Sequence, residues 1–383
     1  MCVCHLRELM SMKKVLLIAL VALALCLPAS MAEGMTLSRL DADGYLYYMD
    51  YTGDYYSPSV FDALRRVGYV DPGCSSFFTH NPDGEPISCR NYDYPHHAIG
   101  DDQTLTGLNV VLHCRPEGKY ESIALADAVW CDQKDPMLRN GGPDMAGFDV
   151  AVLDMLPYQC MDGINEKGLF VSIMRLDIKE GDRPARMGVA ASMLLRYMLD
   201  DCANVAEAVA KVDNAIVTPE DWQGCHFFVT DADGRYMVIE SRNGEVSLIE
   251  NDVVTNFYLA SDDMQDSVRK GVVREKAVAL VDENGETLYR FGYGHGYHRF
   301  VTLASQLVRY QDKRSEAYWT MMPEETALVM LRSALQNQYT ETTGTSFTQY
   351  SVIYNNADRT VRVWPFQNFE TAYAFDVTGA RLQ

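Results

Sequence analysis

The sequence has no C-x-x-C pair, and its Gly292–Gly296 run lacks the Lys-Ser/Thr of a phosphate loop. A structural zinc ribbon and a nucleotide-cradling loop are therefore not indicated. Basic residues are scarce: 33 Lys and Arg stand against 53 Asp and Glu, a formal net charge of −20. Phosphate binding needs Lys/Arg patches, so a nucleic-acid partner is excluded and the acidity reads as solubility. Internal repeats and low-complexity tracts are missing. What remains is ordinary globular material, 383 residues with 48% hydrophobic and 22% charged, enough for one large core or two domains.

The start of the chain reads as an export signal. Lys13-Lys14 supplies a positive region, and Val15 to Leu27 is an apolar run too short for a membrane span. Ser30-Met31-Ala32 offers small residues for cleavage after Ala32, and Met12 is a plausible true start. Cys26 invites a lipoprotein reading, but Leu25 stands where a small residue is expected. The expected location is secreted or cell envelope. An uncleaved signal would leave a membrane tether, and a homo-oligomer stays compatible with the sequence. Beyond Ala32 lie seven cysteines, at 74, 89, 114, 131, 160, 202 and 225. Export would permit disulfides, whose connectivity is not readable.

Residues 33–73 are rich in Tyr and Asp, with an apolar helical patch at Val60–Val67. This segment is expected to pack over an active site until it is cut off; the alternative is an N-terminal subdomain that is never removed. From Cys74 onward, short strands are expected at Ser75–Thr79, Ile87–Tyr92, Asn109–His113, Ser122–Leu125 and Leu169–Ile173, with a turn at Asn81-Pro82-Asp83-Gly84. Helical periodicity covers Ala185–Asp200 and Ala203–Val212. A meander follows at His226–Thr230, Tyr236–Ser241 and Glu245–Ile249, with Asp233-Gly234 and Asn243-Gly244 as hairpin turns. Helices at Tyr297–Tyr310 and Pro323–Gln336 precede closing strands at Phe347–Tyr354, Thr360–Trp364 and Thr371–Phe375. The pattern is that of an α+β layered domain.

One cysteine stands out. Cys74 lies in Gly73-Cys74-Ser75-Ser76-Phe77-Phe78; Arg90 follows it by 16 residues and Asp93 by 19, in Arg90-Asn91-Tyr92-Asp93. Alone, Cys74 would read as a buried structural cysteine, Arg90 as a surface ion pair and Asp93 as a turn residue. Three later segments, Asp162-Gly163-Ile164-Asn165-Glu166-Lys167-Gly168-Leu169, Val253-Val254-Thr255-Asn256 and His298-Arg299-Phe300, come in order behind them. Together these motifs resemble the choloylglycine hydrolase and penicillin V acylase family of linear amide C–N hydrolases, which are N-terminal nucleophile enzymes. The likeness runs from Cys74 to about the C-terminus. Two features depart from it. Cys74 lies deep in the precursor, and the late arginine follows His298 where the family has serine.

The resemblance implies a four-layer αββα sandwich and a chain organised as 1–32 signal, 33–73 propeptide and 74–383 hydrolase domain. It also implies self-cleavage before Cys74. The exposed residue then supplies both a nucleophilic thiol and an α-amine that titrates near neutrality, the base for its own thiol. Asp93 would orient the amine and Arg90 would favour the thiolate. The Asn165 backbone N–H and the Asn256 amide would hold the oxyanion, and Arg299 would stabilise charge at the nucleophile. For Asn165 and Asn256 the plain alternative is turn chemistry, and for Arg299 a solvated helix start. Residues 90 and 93 are an odd number apart, so a regular strand puts them on opposite faces. Either a turn near Asn91 swings Asp93 round or one of the two is outside the site. The implied substrate is a small-molecule N-acyl amide such as a conjugated bile salt, penicillin V or an N-acyl amino acid, with no cofactor and no metal. His295 and His298 read as loop histidines. An acyltransferase of the same fold and a catalytically silent secreted binding protein are the alternatives.

Overall fold

The computed structural model describes residues 31–32, 34–56, 73–95, 108–128, 131, 142–144, 146–176, 189–214, 224–260, 296–310, 322–340 and 344–382. The expected signal segment up to residue 30, the Val60–Val67 patch, the Gly292–His295 run and the start of the helix expected at Ala185 lie outside the described residues. Among the described residues, no helix is long and apolar enough to cross a membrane.

The described strands form two sheets. The first contains β1 (Met31–Ala32), β2 (Met35–Arg39), β3 (Leu46–Tyr51), β6 (Asn109–Cys114), β7 (Ser122–Asp127), β8 (Cys160–Asn165), β9 (Phe170–Arg175), β10 (Cys225–Thr230), β11 (Tyr236–Arg242) and β12 (Glu245–Ile249), adjacent in that order. The second runs in the order β13 (Val253–Val254), β4 (Gly73–His80), β5 (Pro86–Pro95), β15 (Gly344–Asn355), β16 (Thr360–Pro365), β17 (Tyr373–Asp376) and β18 (Arg381–Leu382). A further strand, β14 (Asn337–Thr340), pairs with β15.

The sheets face one another, with β4 packed on β9 and Phe170 of β9 against Tyr354 of β15 at 4.9 Å between ring centroids. Helices cover the outer faces. Helix α1 (Val189–Asp201) lies on β8 and β9, and α2 (Val205–Asp213) on β10 and β11. On the other side α3 (Gly296–Tyr310) lies on β4 and β13, and α4 (Glu324–Ser333) on β5. The fold is the expected αββα sandwich. Its logic shows in β4, where every residue between the two ends is buried: a strand with a sheet on one face and a helix on the other has no solvated side. The edge strand β12 has no fully buried residue.

Most expected elements appear within a few residues of their predicted bounds, including the meander, where Asn243 (φ 55°) and Gly244 (φ 89°) make the left-handed hairpin turn. Pro323 stands one position before the first residue of α4, as its N-cap. The seven cysteines beyond Ala32 are all buried, and no disulfide joins any of them to another.

The N-terminal segment differs from expectation. Its described part does not lie over Cys74. Strands β2 and β3 extend the first sheet, with β3 parallel to β6 and four places along the sheet from β9. Leu46 and Met49 have no exposure. Just beyond, fully buried Tyr55 donates to Asp200 of α1 at 3.0 Å, and Asp200 pairs with Arg196 at 2.6 Å. Tyr158 donates to the Tyr55 carbonyl at 2.7 Å. The described part of this segment is core and sheet, because Tyr47, Tyr48, Tyr51, Tyr55 and Tyr56 each bring a large apolar ring with a hydroxyl that reaches a partner. If the chain is cut before Cys74, the N-terminal piece should therefore stay bound. Native size-exclusion should give one peak holding both pieces, separating only in denaturant. Loss of the small piece under native conditions would contradict the packing seen here.

Candidate active site

Cys74 is the second residue of β4, and its cross-strand partner on β5 is Tyr92. Its side chain points between the sheets. The sulfur lies 2.9 Å from Arg90 Nη2 and 3.8 Å from the Ile173 carbonyl of β9. The same Nη2 donates to that carbonyl at 2.8 Å. Arg90 Nε lies 2.7 Å from Asp162 Oδ2 on β8, both side chains being without exposure. Asp162 Oδ2 also accepts from Tyr350 at 2.6 Å, and Oδ1 accepts from Tyr354. The guanidinium thus bridges the two sheets beside the thiol, with its charge balanced by one buried carboxylate.

Strand β5 stays regular through Asp93, so Arg90 and Asp93 do take opposite faces. Asn91 and Asp93 point outward, Asn91 donating to the Leu331 carbonyl of α4 at 2.8 Å. Asp93 is held by Arg299 of α3, with Nη1 donating to Oδ2 at 2.9 Å, and by Thr348, whose hydroxyl donates to Oδ1 at 2.5 Å. The register of β5 with β15 shifts between Thr348 and Tyr350. This bulge matters. Tyr350 faces Tyr92 on the inner side, while Thr348 stands opposite Asp93 on the outer side. An unbroken register would put both on one face.

The backbone of Cys74 connects the two halves. Arg299 Nη1 donates to the Cys74 carbonyl at 2.6 Å. The Cys74 N–H donates to Asn256 Oδ1 at 2.8 Å, and that oxygen also accepts from Arg299 Nη2 at 2.6 Å. Asn256 Nδ2 donates to the Arg175 carbonyl at 2.8 Å. Two donors on one side and a carbonyl on the other define the orientation of this amide. Its neighbour Thr255 is held from the first sheet, its carbonyl accepting from His226 Nε2 at 2.6 Å. The Thr255 hydroxyl donates to the Gly296 carbonyl at the start of α3, at 2.6 Å. A Cβ at Gly296 would lie 2.7 Å from the Asn256 nitrogen, so only glycine lets α3 approach Asn256 this closely.

Burial dominates the electrostatics. It pushes the Cys74 thiol up to about 12, against the pull of Arg90, the Asp93 N–H and Arg299 toward thiolate, while the Asp93 carboxylate pushes it further up. Burial also raises the Asp93 and Asp162 carboxyls, opposed by Arg299 and Thr348 for the first and by Arg90, Tyr350 and Tyr354 for the second.

Five of the six expected residues therefore meet around Cys74: Cys74 itself, Arg90, Asp93, Asn256 and Arg299. Two details differ from expectation. The contact to the Cys74 nitrogen comes from Asn256, with Asp93 acting through Arg299. The Asn256 group turned to Cys74 is its carbonyl oxygen, where an oxyanion donor would present the NH₂. Asn165 is not brought to the site. Its N–H donates to Leu169 across the β8–β9 turn at 3.1 Å, and its side chain donates to the Leu199 and Cys202 carbonyls at 2.9 and 2.7 Å. Leu169 is four residues from Ile173, about 13 Å along a strand. Asn165 is a turn residue that fastens the end of α1. Sequence reading missed Asp162, Thr348, Tyr350 and Tyr354. Asp162 sits three residues before Asn165 in the same matched segment, and the tyrosines' even spacing on one strand was the available signal. Among the described residues no cluster of His, Cys, Asp and Glu could hold a metal ion.

The sequence matches the model of the acyl-coenzyme A:6-aminopenicillanic acid acyl-transferase family over residues 79–365. No curated protein matches it closely enough to count as a relative. Among solved structures, conjugated bile acid hydrolase from Clostridium perfringens is similar at 15% identity and a TM-score of 0.49, over 81% of this chain and 96% of that one. Penicillin V acylase from Agrobacterium tumefaciens follows at 14% and 0.43, over 79% and 91%. The Caenorhabditis elegans ortholog of N-acylethanolamine-hydrolyzing acid amidase follows at 13% and 0.35, over 74% and 93%. With TM-scores below 0.5, none of these structural likenesses carries weight for the site.

A thiol this buried and this raised is neutral throughout the neutral range. In the folded chain with the Gly73–Cys74 bond intact, iodoacetamide at pH 8 should alkylate Cys74 at least on the order of a hundredfold more slowly than in urea, where the thiol returns to its ordinary range. Because the folded value is raised, this thiol's contribution to stability is complete below about pH 9 and fades as pH climbs toward 12. Equal labelling by peptide mapping would refute the burial. Arg90→Ala strands Asp162 as an unpaired buried carboxylate and should cost about 3–5 kcal/mol in urea denaturation.

Proposed function

The chain belongs to the acyl-coenzyme A:6-aminopenicillanic acid acyl-transferase family, and on that footing we propose that it is an exported, self-processing N-terminal-cysteine enzyme. It breaks a linear amide in a small N-acyl substrate and passes the acyl group to water. One observation carries this reading. Both atoms the chemistry needs from a single residue are held in advance: the Cys74 sulfur 2.9 Å from a buried guanidinium, and the Cys74 nitrogen 2.8 Å from Asn256 Oδ1.

In the first step the Cys74 sulfur attacks the Gly73 carbonyl. The Gly73–Cys74 C–N bond breaks, its nitrogen takes the thiol proton, and the acyl group moves to sulfur. Water hydrolyses this thioester, leaving a Gly73 carboxylate, a free thiol and an α-amine. Asn256 Oδ1 is then an acceptor for that amine and keeps its lone pair near the sulfur. In turnover the amine removes the thiol proton as sulfur attacks the substrate amide, then returns a proton to the departing amine. Water cleaves the acyl-enzyme. Arg90 favours thiolate on one side. Arg299, anchored by Asp93, holds the Cys74 backbone on the other. Export rests on the Lys13-Lys14 and Val15–Leu27 pattern, and release of the mature cysteine on the Gly73–Cys74 junction. The family's description as acyl-transferases supports a second outcome at the last step, in which an amine replaces water.

Purified exported protein should have a mass component beginning at Cys74, and Cys74→Ala should stay uncut and inactive on every amide. Conjugated bile acids and penicillin V are the first compounds to screen, with and without an added amine. Normal processing or turnover in Cys74→Ala would end the proposal; an acylated amine as the main product would select the transferase outcome.

A further inference from the structure

The chemistry proposed above uses Arg90 but does not explain what aims it. We propose that Tyr350 and Tyr354 are positioning residues for the Cys74 thiolate: their two hydroxyls fix Asp162, and Asp162 fixes Arg90 against the sulfur. The inference rests on the reading of Cys74 as nucleophile.

Three elements converge on the carboxylate. Arg90 arrives from β5, 2.7 Å from Oδ2. Tyr350 and Tyr354 arrive from β15, one donating to Oδ2 at 2.6 Å and the other to Oδ1. From its own strand the facing titratable group is Cys160, whose thiol burial raises to about 12 and keeps neutral. All of these side chains are fully buried. The two tyrosines are four residues apart on one strand, so they share a face and reach the carboxylate together. A carboxylate with no water has few ways to stay ionised, and hydrogen bonds from neutral donors are one of them. Both tyrosine hydroxyls stay protonated, since burial and the Asp162 charge raise them well above their ordinary value. They are fixed donors. The charged groups that act on the Cys74 thiol are Arg90, Asp93 and Arg299, and of these only Arg90 approaches the sulfur from the inner face.

Filling the core would require only the rings. Phenylalanine would supply them, so the hydroxyls are the informative part. Without them Asp162 loses donors on both oxygens, binds a proton more readily, and no longer holds Nε of Arg90. The guanidinium can then turn away from the sulfur, and the thiolate loses its nearest positive charge.

The test uses the full chain with Tyr350→Phe, Tyr354→Phe and the double variant. Three readouts are needed: the rate of cutting before Cys74, thermal melting, and the pH profile of Cys74 alkylation by iodoacetamide in the processed enzyme. In the double variant the alkylation midpoint should rise by about one pH unit and cutting near neutral pH should slow about tenfold, one unit being tenfold in thiolate. On an amide substrate kcat should fall with KM unchanged, and Asp162→Asn should move the midpoint the same way. A purely structural role would lower the melting temperature and leave the midpoint in place, and that result overturns the inference. Should the double variant not fold, unchanged midpoints in both single variants overturn it equally. A wild type that is never cut, with no titrating Cys74, would instead defeat the nucleophile reading beneath it. A wild type that is cut, beside tyrosine variants that titrate like it, defeats this inference alone.

Discussion

A guanidinium with no exposure sits between two β-sheets, and the rest of the site is arranged around neutralising it. Arg90 cannot be deprotonated to escape its burial. It needs a carboxylate, and that carboxylate comes from the opposite sheet. It needs acceptors for its remaining N–H groups, and one comes from the Ile173 carbonyl. The ion pair ties β5 to β8 across the sandwich at the point where Cys74 enters it. A buried pair of this kind is weak evidence of net stability, since desolvation offsets most of its attraction. Its presence here makes better sense as geometry: it places one positive charge beside one sulfur.

The second organising feature is the division of Cys74 between two environments. Its side chain belongs to the inter-sheet layer with Arg90. Its backbone is held by Arg299 of α3 at the carbonyl and by Asn256, just past β13, at the nitrogen. Opposite faces of β5 serve opposite ends of one residue, Arg90 inward and Asp93 outward. An odd spacing that looks awkward for a site built on one surface suits a site that surrounds a strand. The bulge between Thr348 and Tyr350 completes the scheme, letting β15 support Asp93 on one face and Asp162 on the other.

The N-terminal segment belongs to the same accounting. Strand β3 carries fully buried residues and pairs with β6, and Tyr55 satisfies a buried Asp200. A piece with these contacts is part of the sandwich, whatever becomes of the peptide bond before Cys74. In the uncut chain the thiol is also covered and neutral.

The layered α+β class, the meander, most strand positions and five of the six site residues were legible in the sequence. They rest on local signals: alternation, turn residues such as Asn243-Gly244, and motifs whose order along the chain is preserved. Asn165 was misplaced because turn chemistry and oxyanion chemistry use the same residue type, and only its contacts with Leu199 and Cys202 distinguish them. Strands β2 and β3 were unreadable as sheet because β3 pairs with β6, and the tyrosines just beyond it bond to α1, partners distant along the chain. Asp162, Thr348, Tyr350 and Tyr354 carry no motif of their own. Their meaning comes from strands that are neighbours in space, from a one-residue bulge that no local pattern announces, and from the low dielectric between two sheets. By itself the sequence determined which residue is the nucleophile candidate and which charges accompany it. The tertiary structure alone decided which atoms of those residues meet, because burial and register are properties of the assembled sheets.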